Sequence, residues 1–128
     1  MSVEGETTIV APATPSGEGG IGIVRVSGPR AEDALERIFF PSASTERLES
    51  HRLYHGKVRT ADGSLVDEAM AVLMRAPRSY TREDVAEIHC HGGPVVLRRI
   101  LDLLLENDLQ LARPGEFTPR AYLDGRLA

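Results

Sequence analysis

The sequence predicts an α+β domain built on a mixed β-sheet, with a β-hairpin and about three helices. Three observations predict it. Strand-like apolar runs outnumber helix-like ones, two neighbouring runs are joined by an Asp-Gly turn, and apolar residues elsewhere recur at helical spacing. At 128 residues the chain forms one domain, long enough to bury roughly two-thirds of the surface its unfolded form exposes.

Thr7–Ala11 reads as a first strand and Ile21–Ser27 as a second, aliphatic and β-branched, with Gly22 and Arg25 as its interruptions. Pro29 suits the first position of a helix, whose fixed φ and missing N–H cost nothing there. Ala34, Leu35, Ile38 and Phe39 follow at helical spacing, with Glu32, Asp33, Glu36 and Arg37 on the wet side, and Pro41-Ser42-Ala43-Ser44 ends the run. Leu53–Thr60 and Leu65–Ala76 read as strands joined by Ala61-Asp62-Gly63-Ser64, a hairpin. Asp84–His91 is a further strand, stopped by Gly92-Gly93. Pro94 opens a second helix reaching about Asn107, whose apolar residues cover much of its circumference and predict deep burial. Leu109–Ala112 reads as a short strand. Thr118-Pro119 reads as an N-cap and first turn for a helix over Arg120–Ala128, interrupted at Asp124-Gly125. Asp124–Ala128 remains helix-compatible with no charged tail after it, so the chain is expected to continue in a longer protein.

Composition excludes several function classes. The hydrophobic share of 41%, the charged share of 27% and the net charge of −4 are those of a globular protein rather than a disordered one. Lys57 is the single lysine, and the arginines are scattered rather than gathered in the basic stripe of a nucleic-acid surface. The single cysteine, Cys90, rules out an internal disulfide and fits a reducing, cytoplasmic compartment. The acidic start MSVEGETT lacks the basic and apolar regions of a signal peptide. Leu97–Leu105 is broken by Arg98, Arg99 and Asp102, so no membrane association is expected.

The glycine-rich loop between the first two strands looks at first like a phosphate cradle. A dinucleotide fingerprint opens a helix, whereas this loop leads into a strand, and no Walker A pattern occurs anywhere in the chain. Glu87, His89 and His91 alternate along one strand and so share a face, with Cys90 opposite. A carboxylate and two imidazoles on one face suit a divalent metal; the same residues also suit hydrogen-bonded groups beside a turn, and spacing pins no further ligand. Cys90 reads as a small buried residue more readily than as a nucleophile. Glu87, among Val85, Ala86 and Ile88, needs partners for a half-buried carboxylate. Spacing favours an arginine of the same fold; the alternative is a planar ring edge offering two parallel N–H groups, the fork that makes arginine–carboxylate pairs strong. Arg25 suits either an exposed strand face or a ligand held beside the Gly17–Gly22 loop, where glycine lets a backbone approach closely.

Taken in order, TIVAPATP (8–15), GEGGIGIVRVSG (17–28), SYTREDVAEI (79–88), HGGP (91–94), ARPGEFT (112–118) and RAYLDGRL (120–127) resemble the N-terminal domain of the MnmE (TrmE) family of tRNA modification GTPases. The motifs span nearly the whole chain. Each is weak alone and specific in combination. The resemblance implies a fold like the folate-binding domain of the glycine-cleavage T protein, covering residues 1–120 as a tetrahydrofolate-binding and dimerisation domain, with 121–128 beginning a helical domain. It implies a homodimer that binds 5-formyltetrahydrofolate or a related tetrahydrofolate, with Arg25, Glu87 and Arg126 contacting it. It further implies that the longer protein, using GTP, Mg2+ and K+ in other domains, works in the cytoplasm with MnmG on the wobble uridine of tRNA at C5. The chain holds none of the GTPase motifs, so no complete reaction and no catalytic residue is expected of it alone. Two rivals stand beside this reading: a metal-dependent enzyme using Glu87, His89 and His91, and a dimerisation scaffold without a working folate site.

Overall fold

The computed structural model describes residues 7–13, 21–76, 83–106 and 109–112. Its elements are β1 (Ile9–Pro12), β2 (Gly22–Ser27), α1 (Ala31–Ile38), β3 (Phe39–Pro41), β4 (Leu53–Arg59), β5 (Leu65–Met74), β6 (Val85–Cys90), α2 (Gly93–Leu105) and β7 (Gln110–Leu111). The strands form one sheet in the order β3-β4-β5-β6-β2-β1-β7. All neighbours are antiparallel except β1 and β7, so the sheet is mixed, as its α+β reading requires. The insertion of β6 between β5 and β2 is the topological step that matters most. It places residues near 25 directly beside residues near 87.

The pleat sorts the side chains. Val24 and Val26 of β2, Ala86, Ile88 and Cys90 of β6, and Ala69, Ala71 and Leu73 of β5 point to one face. There they meet Ala31, Ala34, Leu35 and Ile38 of α1 and Leu97, Ile100, Leu101 and Leu104 of α2 in a single core. Alanines at the centre of the sheet let both helices lie close on it, and burial of their apolar stripes supplies the driving force for docking them. Among the described residues no helix is long and apolar enough to cross a membrane.

The hairpin forms as its sequence demands. Gly63 takes φ of +91°, a conformation that L side chains rarely adopt. The Thr60 N–H donates to the Ser64 carbonyl at 2.9 Å. The Asp62 carboxylate accepts from the Ser64 N–H and the Thr60 hydroxyl, which holds it down to a pKa of about 2.

Two boundaries of α1 and the helix count differ from the sequence reading. Helix α1 starts at Ala31 rather than Pro29, because Pro29 and Arg30 are taken up in a turn closed by the Ala31 N–H on the Gly28 carbonyl. The Arg30 N–H is capped from outside the helix by Thr8 Oγ1 at 2.9 Å. Phe39 leaves the helix and begins β3, where it pairs with Val58 and packs its ring over Gly56, a position at which a Cβ would stand 2.6 Å from that ring. There are two helices among the described residues, not about three; the helix expected over 120–128 lies outside them.

Candidate functional site

Because Val24, Val26, Ala86 and Ile88 are committed to the core, their alternates must face the other way. Arg25 and Glu87 are directly paired across β2 and β6, and His89 follows Glu87 on the same face, paired with Ile23. The neighbours from β5 are Val72, opposite Glu87, and Met70, opposite His89; Ala11 of β1 lies opposite Arg25. A charged cluster is thus framed by apolar side chains on the sheet face opposite α1 and α2.

The cluster is bonded within itself. Arg25 donates from Nε to Oε2 of Glu87 at 2.8 Å, and its Nη2 lies in an ion pair 2.7 Å from the same oxygen. His89 Nε2 lies 3.0 Å from Oε1 of Glu87. A carboxylate only accepts, so the imidazole carries its hydrogen on Nε2. The side chain of Glu87 is 14% exposed, against 30% for Arg25 and 26% for His89. Burial pushes the Glu87 carboxyl up, while the bonds from His89 and Arg25 pull it down; the net effect is a lowered pKa. Glu87 therefore stays ionised through the neutral range, as an acceptor of N–H donors must.

The structure brings Arg25, Glu87 and His89 together but does not gather the metal set. His91 lies beyond the end of β6, exposed, with its N–H donating to Asp67 Oδ2 at 2.9 Å. No group of three His, Cys, Asp or Glu side chains among the described residues is placed to hold a metal ion. The grouping of Glu87, His89 and His91 fails because the strand ends before its third member. Cys90 is on the core side, with Sγ 3.5 Å from the Gly22 carbonyl, and burial raises its thiol pKa. Arg126 and the glycine-rich loop at 14–20 lie outside the described residues.

The sequence favoured an arginine of the same fold as the partner of Glu87 without naming Arg25, and it set Glu87, His89 and His91 together as three rather than Glu87 with His89 as a pair. The i, i+2 spacing was the available signal for the second contact. A separate depression of about 240 Å3 lies at the far end of the sheet, lined by Glu36, Phe39, Phe40 and Arg47 among others. It contains none of the Arg25 cluster.

The chain matches the family described as "GTP-binding protein TrmE N-terminus" over residues 8–126. It belongs to the TrmE N-terminal family. Among curated relatives it is 61% identical over 122 residues to the tRNA modification GTPase MnmE of Syntrophotalea carbinolica. It is 58% identical over 123 residues to the protein of that name from Geobacter sulfurreducens, and 54% over 125 residues to that from Carboxydothermus hydrogenoformans. Each match covers 95% of this chain and 27% of the relative. The TrmE N-terminal chain thus spans about a quarter of the length of these relatives, and the sheet carrying Arg25 and Glu87 falls within the matched residues.

Proposed function

We propose that this chain is the tetrahydrofolate-binding and homodimerisation module of a tRNA modification GTPase, which acts in the cytoplasm with MnmG on the wobble uridine of tRNA at C5. Membership in the TrmE N-terminal family supports the setting. The observation that carries the site is the placement of Arg25 beside Glu87 on the sheet face opposite α1 and α2, although they are 62 residues apart in sequence. An ionised carboxylate there suits the amino and ring N–H groups of a pterin. The adjacent guanidinium suits the carbonyl next to those groups, which puts Arg25 at the ring edge rather than at the anionic tail. Val72, Met70 and Ile23 supply apolar surface for a flat ring.

When bound, 5-formyltetrahydrofolate or a related form brings a one-carbon unit; the residues of this chain hold and orient it, a contribution of proximity rather than of bond-making. Arg126 is the third proposed contact. GTP, Mg2+ and K+ belong to other parts of the longer protein in this reading. Residues 1–120 form the module, with a fold like the folate-binding domain of the glycine-cleavage T protein, and 121–128 lead into a helical domain.

Calorimetric titration of the chain with 5-formyltetrahydrofolate tests the site, with light scattering to count protomers. Saturable uptake of about one ligand per chain, weakened by Glu87→Ala, is the expected result. A folded dimer that takes up no folate would leave a dimerisation scaffold and overturn the folate reading. A folded monomer at high concentration would overturn the dimer.

A further inference from the structure

A carboxylate offers about four lone-pair positions. In Glu87, Arg25 takes Oε2 through Nε, with Nη2 crowding the same oxygen at 2.7 Å, and His89 Nε2 takes one position on Oε1. Among the described residues nothing else bonds Oε1, so an open position remains on the oxygen that His89 holds. A ring edge with two N–H groups can therefore bond Oε1 without disturbing His89, and reaches Oε2 only if Arg25 gives back one of its bonds. The two partners of Glu87 are consequently not equivalent. Arg25, on the neighbouring strand, is the one that must yield; His89, two residues along the same strand, can stay.

We propose that His89 is a positioning residue for ligand recognition by Glu87. Resting on the folate reading above, the inference is that the imidazole N–H fixes the rotation of the Glu87 carboxylate, a terminal torsion that is otherwise broad. It keeps the open lone pair of Oε1 directed at the ligand edge while Arg25 exchanges one carboxylate bond for a bond to the ligand. Without His89, the carboxylate would be free to turn and give both oxygens to the two donors of Arg25, the side-by-side geometry that guanidinium groups prefer. The ligand would then have to break a stronger pair to enter. His89 thus stabilises the receptive form of the site through Glu87, without being required to touch the ligand itself.

The test compares the unsubstituted chain with His89→Leu and His89→Gln, titrated calorimetrically with 5-formyltetrahydrofolate. Leucine fits between Ile23 and Met70 and carries no donor. Glutamine carries an N–H donor the same number of bonds from the backbone as Nε2. The expected result is about a tenfold loss of affinity in His89→Leu, with His89→Gln within about threefold of the parent and matched thermal unfolding for all three. Equal or tighter binding by His89→Leu would overturn the positioning role while leaving the folate reading intact. Equal loss in both variants would overturn it too, since ring shape rather than the N–H would then matter. If the leucine variant did not fold, loss of binding in a folded His89→Gln would overturn it alone. No binding by the unsubstituted chain would overturn the folate reading, and this inference with it.

Discussion

Two carboxylates in this domain each hold two positively charged or N–H-bearing partners, and they differ in how fully those partners occupy them. Glu32, in α1, takes Arg47 through Nε at 2.8 Å and Nη2 at 3.0 Å, and Arg75 through Nε at 3.2 Å and Nη2 at 2.9 Å. All of its lone-pair positions are filled by protein. Arg75 also donates to the Leu48 carbonyl at 2.6 Å, so the cluster ties α1, the end of β5 and the loop before β4 into one knot. Among the described residues Glu87 has a position to spare, and it lies on the sheet face opposite α1 and α2. A saturated carboxylate between secondary-structure elements is a fastener. An unsaturated one among apolar neighbours on the face opposite the helices suits a receptor, and the bond count separates the two.

Exchanging charge for shape at each site breaks the comparison most directly. Glu87→Gln keeps the volume but replaces one acceptor oxygen with a donor, which then opposes both Arg25 and an incoming N–H edge. Affinity for 5-formyltetrahydrofolate should fall about 100-fold, read by calorimetry, with the fold retained by circular dichroism. Glu32→Gln should do the reverse, costing about 2 kcal/mol in urea unfolding because Arg75 is left half-buried without its carboxylate, with folate affinity unchanged. If Glu32→Gln weakened the ligand as much as Glu87→Gln, the division between fastener and receptor would be wrong.

The fold was legible in the sequence wherever the cause is local. Alternation in Ile21–Ser27 and Asp84–His91, the Asp62-Gly63 turn and the apolar faces of Leu35 and Leu101 each announce an element within a window of a few residues. Phe39 was not legible as strand, because what pulls it from the helix is the groove over Gly56, seventeen positions away in the chain. The pairing of Arg25 with Glu87 depends on β6 entering the sheet beside β2, a long-range event with no local sign. The same holds for Glu32, whose partners Arg47 and Arg75 are 15 and 43 residues distant. Periodicity gave the face on which Glu87 and His89 lie; it could not say where the strand ends, and so it counted His91 among them.

Acid sharpens the contrast further. The Glu32 carboxyl is lowered from 4.5 to about 2, chiefly by its bonds from Arg47 and Arg75. A lowered folded value means that the contribution to stability is complete above the unfolded pKa and is lost as pH falls through the folded one. The urea midpoint should therefore decline between about pH 4.5 and 2 in the parent, and Glu32→Gln should flatten that decline. Glu87, also lowered, should add a smaller slope of the same sign, which Glu87→Gln removes. A decline that survives both substitutions unchanged would assign acid sensitivity to other carboxylates.

The smallest expected effect separates the two arginines of the fastener. The side chain of Arg47 is 65% exposed, that of Arg75 25%. Both make two bonds to Glu32, so a count of bonds alone would rank them equal. Solvent makes them unequal: an exposed ion pair trades protein for water at little net gain and is screened by salt. Arg75 also satisfies the Leu48 carbonyl, which its removal would strand. Arg75→Ala should lower the urea midpoint measurably, whereas Arg47→Ala should leave it close to the parent value, and added salt should erase what difference remains. Equal losses for the two would mean that Glu32 needs all four bonds, so that saturation itself, rather than the burial of one partner, fastens the helix to the sheet.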